Sequence, residues 1–236
     1  MKKWLKTTLI SILSLVLILA VAFLIYASNY YHAVDVSKDA LINEKTITTD
    51  GKLTILSPST PSETGFIFYP GGKVEHIAYL PMLEKLRQNG ITCVLVDMPF
   101  NLAFLNSNAA DNVFGKLPEI KNWYIGGHSL GGAMASNYAS KHQEQIKGLI
   151  LLGAYIYGDI PPSNALTVYG SLDGVLDKSK ITYQENVFVV EGGNHAQFGN
   201  YGPQKGDGTA TISTEQQQKE TVEHIIEFIK RKDKSL

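Results

Sequence analysis

The chain has 236 residues, a formal net charge of −1 and 44% hydrophobic residues, enough for one domain with a sizeable core and an appendage. The near-neutral balance, with no basic stripe and no interleaving of basic and aromatic residues, excludes nucleic acid as the expected partner. The single cysteine, Cys93, excludes an intramolecular disulfide and, lying in the apolar run Ile91 to Val96, reads as a buried hydrophobe.

At the N-terminus, Lys2, Lys3 and Lys6 precede an uncharged stretch from Thr7 to Ala27 rich in Leu, Ile, Val, Ala and Phe. As a helix these residues span about 31 Å, enough for a hydrocarbon core of about 30 Å. A secretory signal has a shorter apolar region and a small-x-small cleavage site. Here Ala20-Val21-Ala22 lies inside the run, and cleavage after Ala27 would leave the bulky Ile25 three residues back. Residues 1–27 are therefore expected to be a cytoplasmic tip and an uncleaved anchor, with secretion after cleavage as the alternative. Tyr26, Tyr30 and Tyr31 suit the membrane interface, and positive charge on the short side predicts that the rest of the chain faces outward. After Ala27 the chain carries 18 basic and 22 acidic residues, which points to no particular partner.

Residues 28–43 read as a stalk or lead-in, and 44–236 as one α/β domain. Lys45 to Thr49 and Lys52 to Leu56, around Asp50-Gly51, predict a hairpin. Phe66 to Tyr69 predicts a strand that ends in Pro70-Gly71-Gly72, and a helix is expected from about Pro81 to Gly90. Ile91 to Val96 is the next strand, 102–118 is weakly helical, and Trp123 to Ile125 is a short buried strand. Leu130 to about His142 is helical. Gly148 to Leu152, Ala165 to Tyr169 and Val187 to Val190 are further strands. The last helix has a capping-box start, Ser213-x-x-Gln216, and an apolar stripe of Val222, Ile225, Ile226 and Ile229. Strands that alternate with helices, and that are apolar throughout, predict a mostly parallel sheet covered on both faces. In such sheets ligands bind at the carboxyl ends of the strands.

Between the strand at Trp123 and its helix stands Gly127-His128-Ser129-Leu130-Gly131, a Gly-x-Ser-x-Gly turn. A serine held in a strained strand-to-helix turn needs residues without bulk two before and two after it, and Gly127 and Gly131 occupy those places. Ser129 then stands at a helix N-terminus, where partial positive charge favours an oxyanion. A serine hydroxyl needs a general base, itself oriented by a third group. Among six histidines, His32 lies in the lead-in, His224 mid-helix and His142 at a helix end, while His128 adjoins the serine and should point away from it. His195, in Glu191-Gly192-Gly193-Asn194-His195 after the strand at Val187, is delivered to the same sheet edge as Ser129. Asp173, after the strand at Ala165, is the expected acid; Asp177 is the main rival and Asp159 a lesser one. The order Ser129, Asp173, His195, each just past a strand, is the one required of a nucleophile-elbow hydrolase. The oxyanion hole needs backbone donors, one expected from Leu130 and one from the loop after Tyr69. Pro70 has no N–H, so Gly72 is the first choice there, ahead of Gly71 and Lys73. Gly72-Lys73 is not a phosphate loop, because Val74 replaces the needed Ser or Thr. No metal or organic cofactor is implied.

The run from Gly65 to Gly202 resembles small α/β-hydrolases of the dienelactone-hydrolase-like type, many of them membrane-anchored bacterial proteins. The resemblance is carried by Phe68-Tyr69-Pro70-Gly71-Gly72, Gly126-Gly127-His128-Ser129-Leu130-Gly131-Gly132, Tyr169-Gly170-Ser171-Leu172-Asp173-Gly174 and Gly193-Asn194-His195-Ala196-Gln197-Phe198. It implies Ser129 as nucleophile, His195 as base and Asp173 as its partner. Dienelactone hydrolases proper carry a cysteine nucleophile, so their substrate does not transfer. The short segment Tyr155 to Asn164 leaves no room for the lid domain of many lipases.

The expected activity is ester hydrolysis through an acyl-enzyme, on a small-molecule or acyl substrate. A peptidase or acyltransferase acting on envelope components, and a catalytically silent binding protein, are the alternatives. His76, Phe100, Phe198 and Tyr201 are expected to line the substrate pocket, with Phe104 a further wall candidate. Oligomeric state is left open.

Overall fold

A computed structural model of the chain describes residues 3–34 and 46–234. Residues 35–43 of the expected lead-in, and Lys45 at the start of the first expected strand, lie outside the described residues. The chain divides after Tyr30 into two units.

The first unit is helix α1 (Lys3–Ser28), whose most apolar 18-residue window has a mean hydropathy of 3.0. Its 26 residues span about 39 Å, so length and composition suffice to cross a membrane, and a signal sequence has the same character. The helix starts four residues before Thr7 because Lys3, Trp4, Leu5 and Lys6 include nothing that breaks it.

The second unit is built on eight strands: β1 (Ile47–Asp50), β2 (Leu53–Leu56), β3 (Thr64–Tyr69), β4 (Thr92–Val96), β5 (Asn122–His128), β6 (Ile146–Leu152), β7 (Ala165–Gly170) and β8 (Val187–Val190). They form one sheet in the order β1-β2-β4-β3-β5-β6-β7-β8. β1 and β2 pair antiparallel, as do β2 and β4, and every later pair is parallel. In the hairpin Asp50 pairs with Leu53, which leaves Gly51-Lys52 as the loop, one residue later than the dipeptide suggested. Gly51 there has φ 62°, which a glycine adopts freely.

Helices α2 (Leu80–Gln88), α3 (Asp111–Phe114), α4 (Leu130–Lys141) and α5 (Thr214–Lys234) cover the sheet. Alternate strand residues go to opposite faces. Phe66, Phe68, Tyr124, Ile150 and Leu152 pack with Leu83 and Leu86 of α2 and Ile225 and Phe228 of α5. Ile67, Tyr69, Ile125, Leu149 and Leu151 pack with Val113 of α3 and Ala135 and Tyr138 of α4. Burial on both faces explains the unbroken apolar strands, each fully buried large side chain contributing about 1.5–3 kcal/mol. The weakly helical stretch 102–118 is not one helix. It is a 3-10 turn at Ala103–Asn106 and the single-turn α3, because Asn106-Ser107-Asn108 and then Gly115 break any continuous apolar stripe.

Tyr31 to Val34, expected in the lead-in, run along the second unit. Tyr31 donates its N–H to the Lys73 carbonyl and Val34 to that of Asn200, at 2.7 and 2.9 Å. The register brings the functional loops to one edge. Tyr69 pairs with Gly127, His128 with Leu152 and Gly170 with Val190, so the loops after β3, β5, β7 and β8 leave the sheet side by side.

Candidate active site

Strand β5 runs straight into the turn, and Ser129 follows with φ 52° and ψ −121°, a backbone strained for a side-chain-bearing residue. The surroundings hold it there. The Ser129 N–H donates to the Leu152 carbonyl at 2.9 Å, and helix α4 begins at the next residue. A Cβ at Gly127 would overlap the Tyr69 carbonyl oxygen, and one at Gly131 would overlap the carbonyl oxygens of Tyr69 and Pro70. The two glycines are thus required by close backbone approach, and that approach seats the Pro70 loop against the turn.

His195 follows β8, and its Nδ1 lies 2.8 Å from Asp173 Oδ2, with both side chains buried. Asp173 Oδ1 accepts the N–H groups of Val175 and Leu176 at 2.9 and 2.8 Å. Burial works against the charge on this carboxylate. The hydrogen bond and charge of His195, with the two amides, outweigh it and hold the Asp173 carboxyl below the ordinary carboxylate value. Space for the pair depends on Gly153, at φ 52°, where a Cβ would lie 2.8 Å from His195 Nδ1. The rival acids do not pair with His195: Asp177, at the rim of the same cleft, has its Oδ1 accepting the Ser179 N–H and hydroxyl, and the Asp159 backbone carbonyl accepts from Gln143.

Two residues without an assigned role in the sequence brace the His195 loop. Asp207 accepts the N–H groups of His195, Ala196 and Gly174 at 3.1, 2.8 and 3.1 Å, which ties the histidine loop to the aspartate loop. Gln217 of α5, fully buried, accepts the Asn194 N–H through Oε1 and donates Nε2–H to the Asn194 carbonyl. The Gln217 signal is present in the sequence, since Gln217 and Thr221 continue the stripe of Ile225 and Ile229 backward at a spacing of four.

In the loop after β3, the Gly71 N–H donates to Tyr79 Oη at 3.0 Å and the Lys73 N–H to the Asn101 carbonyl at 2.8 Å. Pro70 has no N–H, and among the described residues no hydrogen-bond acceptor is found for the Gly72 amide. Gly72 lies over Leu130, where a Cβ would meet Leu130 Cδ2 at 2.8 Å. The loop and the start of α4 are therefore in direct contact.

Ser129 and His195 line one cleft of about 250 Å3, with Leu130, Ala133, Ala154, Tyr155, Val175, Leu176 and Asp177. His195 Nε2 is buried and has no hydrogen-bond partner among the described residues. The expected pocket residues are placed elsewhere, because sequence position does not set side-chain direction in a loop. Phe198 and Tyr201 are buried behind the site, their ring centroids 5.6 and 6.4 Å from that of His128. His76 Nδ1 faces Asp97 at 3.6 Å, on the β4 side. Phe100 and Phe104 are half exposed and outside the cleft. A larger cavity of about 450 Å3 lies beyond the His195 loop, lined in part by Asn194, Gln197, Asn200 and Asp207, and includes neither Ser129 nor His195. Among the described residues no group of three or more His, Cys, Asp or Glu is placed to hold a metal.

The other histidines have structural surroundings. His142 stacks on Tyr138 and His224 on Phe188, each at 4.1 Å, and His32 faces Glu75 at 3.8 Å. His128 turns into the core, where burial, and after it the neighbouring His195, holds the imidazole well below the ordinary histidine value. The unfolded chain protonates this histidine below about pH 6.5 and the folded chain does not. Its contribution to stability is therefore complete above that pH and is lost as pH falls below it, by up to about 1.4 kcal/mol per pH unit. Thermal unfolding between about pH 8 and 5 is expected to show this decline, and His128→Phe to flatten it. His76, held low by burial, adds to the slope in both proteins.

A family model described as "Alpha/beta hydrolase family" matches residues 65–219. No curated protein matches the chain. Among solved structures, Est1E from Butyrivibrio proteoclasticus is similar with a TM-score of 0.53 at 17% identity, over 78% of this chain and 97% of its own. An alpha-beta serine hydrolase homologue from Coxiella burnetii gives 0.51 at 14%, over 78% and 97%. Dienelactone hydrolase from Anabaena variabilis gives 0.50 at 15%, over 77% and 95%. At these identities the likeness is one of fold.

Proposed function

From a chain that belongs to the alpha/beta hydrolase family, we propose a serine hydrolase that cleaves carboxylic esters through an acyl-enzyme on Ser129. The observation that carries this reading is the buried Asp173–His195 pair, whose histidine shares one cleft with a serine in the strained turn. His195 removes the Ser129 proton as the hydroxyl attacks the ester carbonyl, with Asp173 stabilising the imidazolium that forms. The amides of Leu130 and Gly72 receive the oxyanion, aided by the N-terminal end of α4. His195 then protonates the leaving alcohol and activates water for deacylation. The open Nε2 of His195 fits this role, since catalytic hydrogen bonds tighten when substrate engages.

The cleft is below the roughly 300–1,000 Å3 of sites for drug-sized ligands, and Ala133, Ala154, Val175 and Leu176 make it apolar. Short acyl groups fit it. Kinetics of the full chain in detergent are expected to give p-nitrophenyl acetate or butyrate a kcat/KM about tenfold or more above the palmitate ester, in line with about 1–3 kcal/mol of discrimination per misfit group. Cleavage of aminoacyl anilides with no turnover of esters would replace this reading by a peptidase, and acyl transfer to lipid acceptors in preference to water by an acyltransferase. The chain is further read as anchored by α1 with the second unit outside the cytoplasm, from the lysines that precede the apolar run. Loss of the second unit on protease treatment of intact cells tests that placement.

A further inference from the structure

We propose that His128 is a positioning residue for this site, acting through Tyr79 on the loop after β3 and by direct packing on His195; the inference rests on the ester-hydrolase reading above. An imidazole is a costly core filler where Phe or Leu would serve, and among the described residues its Nδ1 is the nitrogen with a hydrogen-bond partner, Nε2 being buried without one. His128 is 1% exposed and is enclosed by Tyr79, His195, Phe198 and Tyr201. The titratable groups that face it are the two tyrosines and His195.

The hydrogen bonds have a direction. Tyr79 Oη accepts the Gly71 N–H at 3.0 Å and lies 2.9 Å from His128 Nδ1. Among the described residues the Tyr79 hydroxyl proton finds its acceptor at Nδ1, in the tautomer that carries the imidazole proton on Nε2. The fit is steric as well: a Cβ at Gly71 would lie 2.7 Å from His128 Nδ1 and 2.8 Å from Tyr79 Oη. The glycine loop is therefore seated on the Tyr79–His128 pair.

Two consequences reach the reacting groups. First, the pair withdraws the Gly71 amide, so Gly72, lying over Leu130, is the loop's donor to an oxyanion. Secondly, the His128 ring forms one wall against His195, with centroids 4.4 Å apart and planes at 47°, and so limits swing of that ring about its bond to Asp173. One side chain, adjacent to Ser129 in the chain, thus joins the oxyanion loop to the base.

The test compares His128→Phe, which fills the space without an acceptor, His128→Asn, which presents Oδ1 where Nδ1 stood, and Tyr79→Phe. A mispositioned oxyanion donor is expected to lower kcat about 10- to 100-fold in His128→Phe and Tyr79→Phe, with KM within about threefold of wild type. His128→Asn should recover to within about threefold of wild type, and the His128→Phe, Tyr79→Phe double variant should be no worse than the poorer single one. A core-filling role alone would lower the melting temperature without this split between kcat and KM or this rescue. Wild-type kcat in His128→Phe, failure of His128→Asn to rescue, or additive loss in the double variant overturns the proposal. If His128→Phe does not fold, Tyr79→Phe, which removes one hydroxyl, decides it by the same kcat criterion. A wild-type protein that neither hydrolyses esters nor reacts with a fluorophosphonate would instead overturn the ester-hydrolase reading.

Discussion

Ser129→Ala is expected to lower kcat on p-nitrophenyl butyrate by about 10⁵- to 10⁶-fold, with the fold unchanged. The magnitude follows from the proposed role of Ser129 as the nucleophile, with the residual rate coming from amides and binding alone. His195→Ala should fall by the same order, and the double variant should be no slower than either single one, because the two act as a unit. Asp173→Asn is expected to cost about 10⁴, through loss of the tautomer that presents a basic Nε2. Progress curves at enzyme concentrations high enough to resolve the residual rate, with near-ultraviolet circular dichroism as the folding control, measure all four. A Ser129→Ala protein with a tenth of wild-type activity would contradict the assignment.

The second large effect is on stability. Gly131→Ala is expected to destabilise the domain by about 3 kcal/mol or more, because its Cβ meets the Tyr69 and Pro70 carbonyl oxygens, and neither backbone can yield without disturbing β3 or α4. Gly90→Ala is the informative comparison. At Gly90 nothing lies within 4 Å of the added methyl, and the cost is the left-handed backbone at φ 84°, about 1–2 kcal/mol. Urea unfolding separates the two, with a much larger shift in midpoint for Gly131→Ala at similar slope. Equal shifts would mean that the turn does not press on the Pro70 loop, and with it the placement of Gly72 over Leu130 would fail.

These two effects mark what the sequence makes legible. The central strands were readable because burial on both faces leaves an apolar run, the exposed β1 was readable only through its hairpin turn with β2, and the turn glycines were readable because close backbone approach admits no other residue. That Asp173 and His195 come together was readable from their places after strands. What lies inside the loops was not. Phe198 and Tyr201 follow His195 as pocket residues would, yet they pack behind it, since loop spacing carries no period that sets direction. Asp207, flanked by glycines, has the composition of a solvent loop, and its hold on the His195 and Ala196 amides, and on that of Gly174 33 residues earlier, has no local signature. His128 was expected to point away from Ser129, and its burial agrees, but its bond to Tyr79 spans 49 residues and has no local signature.

On the proposed reading, Ser129 is a nucleophile activated at the carboxyl edge of the sheet. The most direct measurement is reaction of the full chain with a fluorophosphonate, followed by mass-spectrometric mapping of the adduct. One adduct is expected, on Ser129, absent from Ser129→Ala and strongly slowed in His195→Ala. A folded wild-type chain that takes no label, or a label that persists in Ser129→Ala, would contradict it.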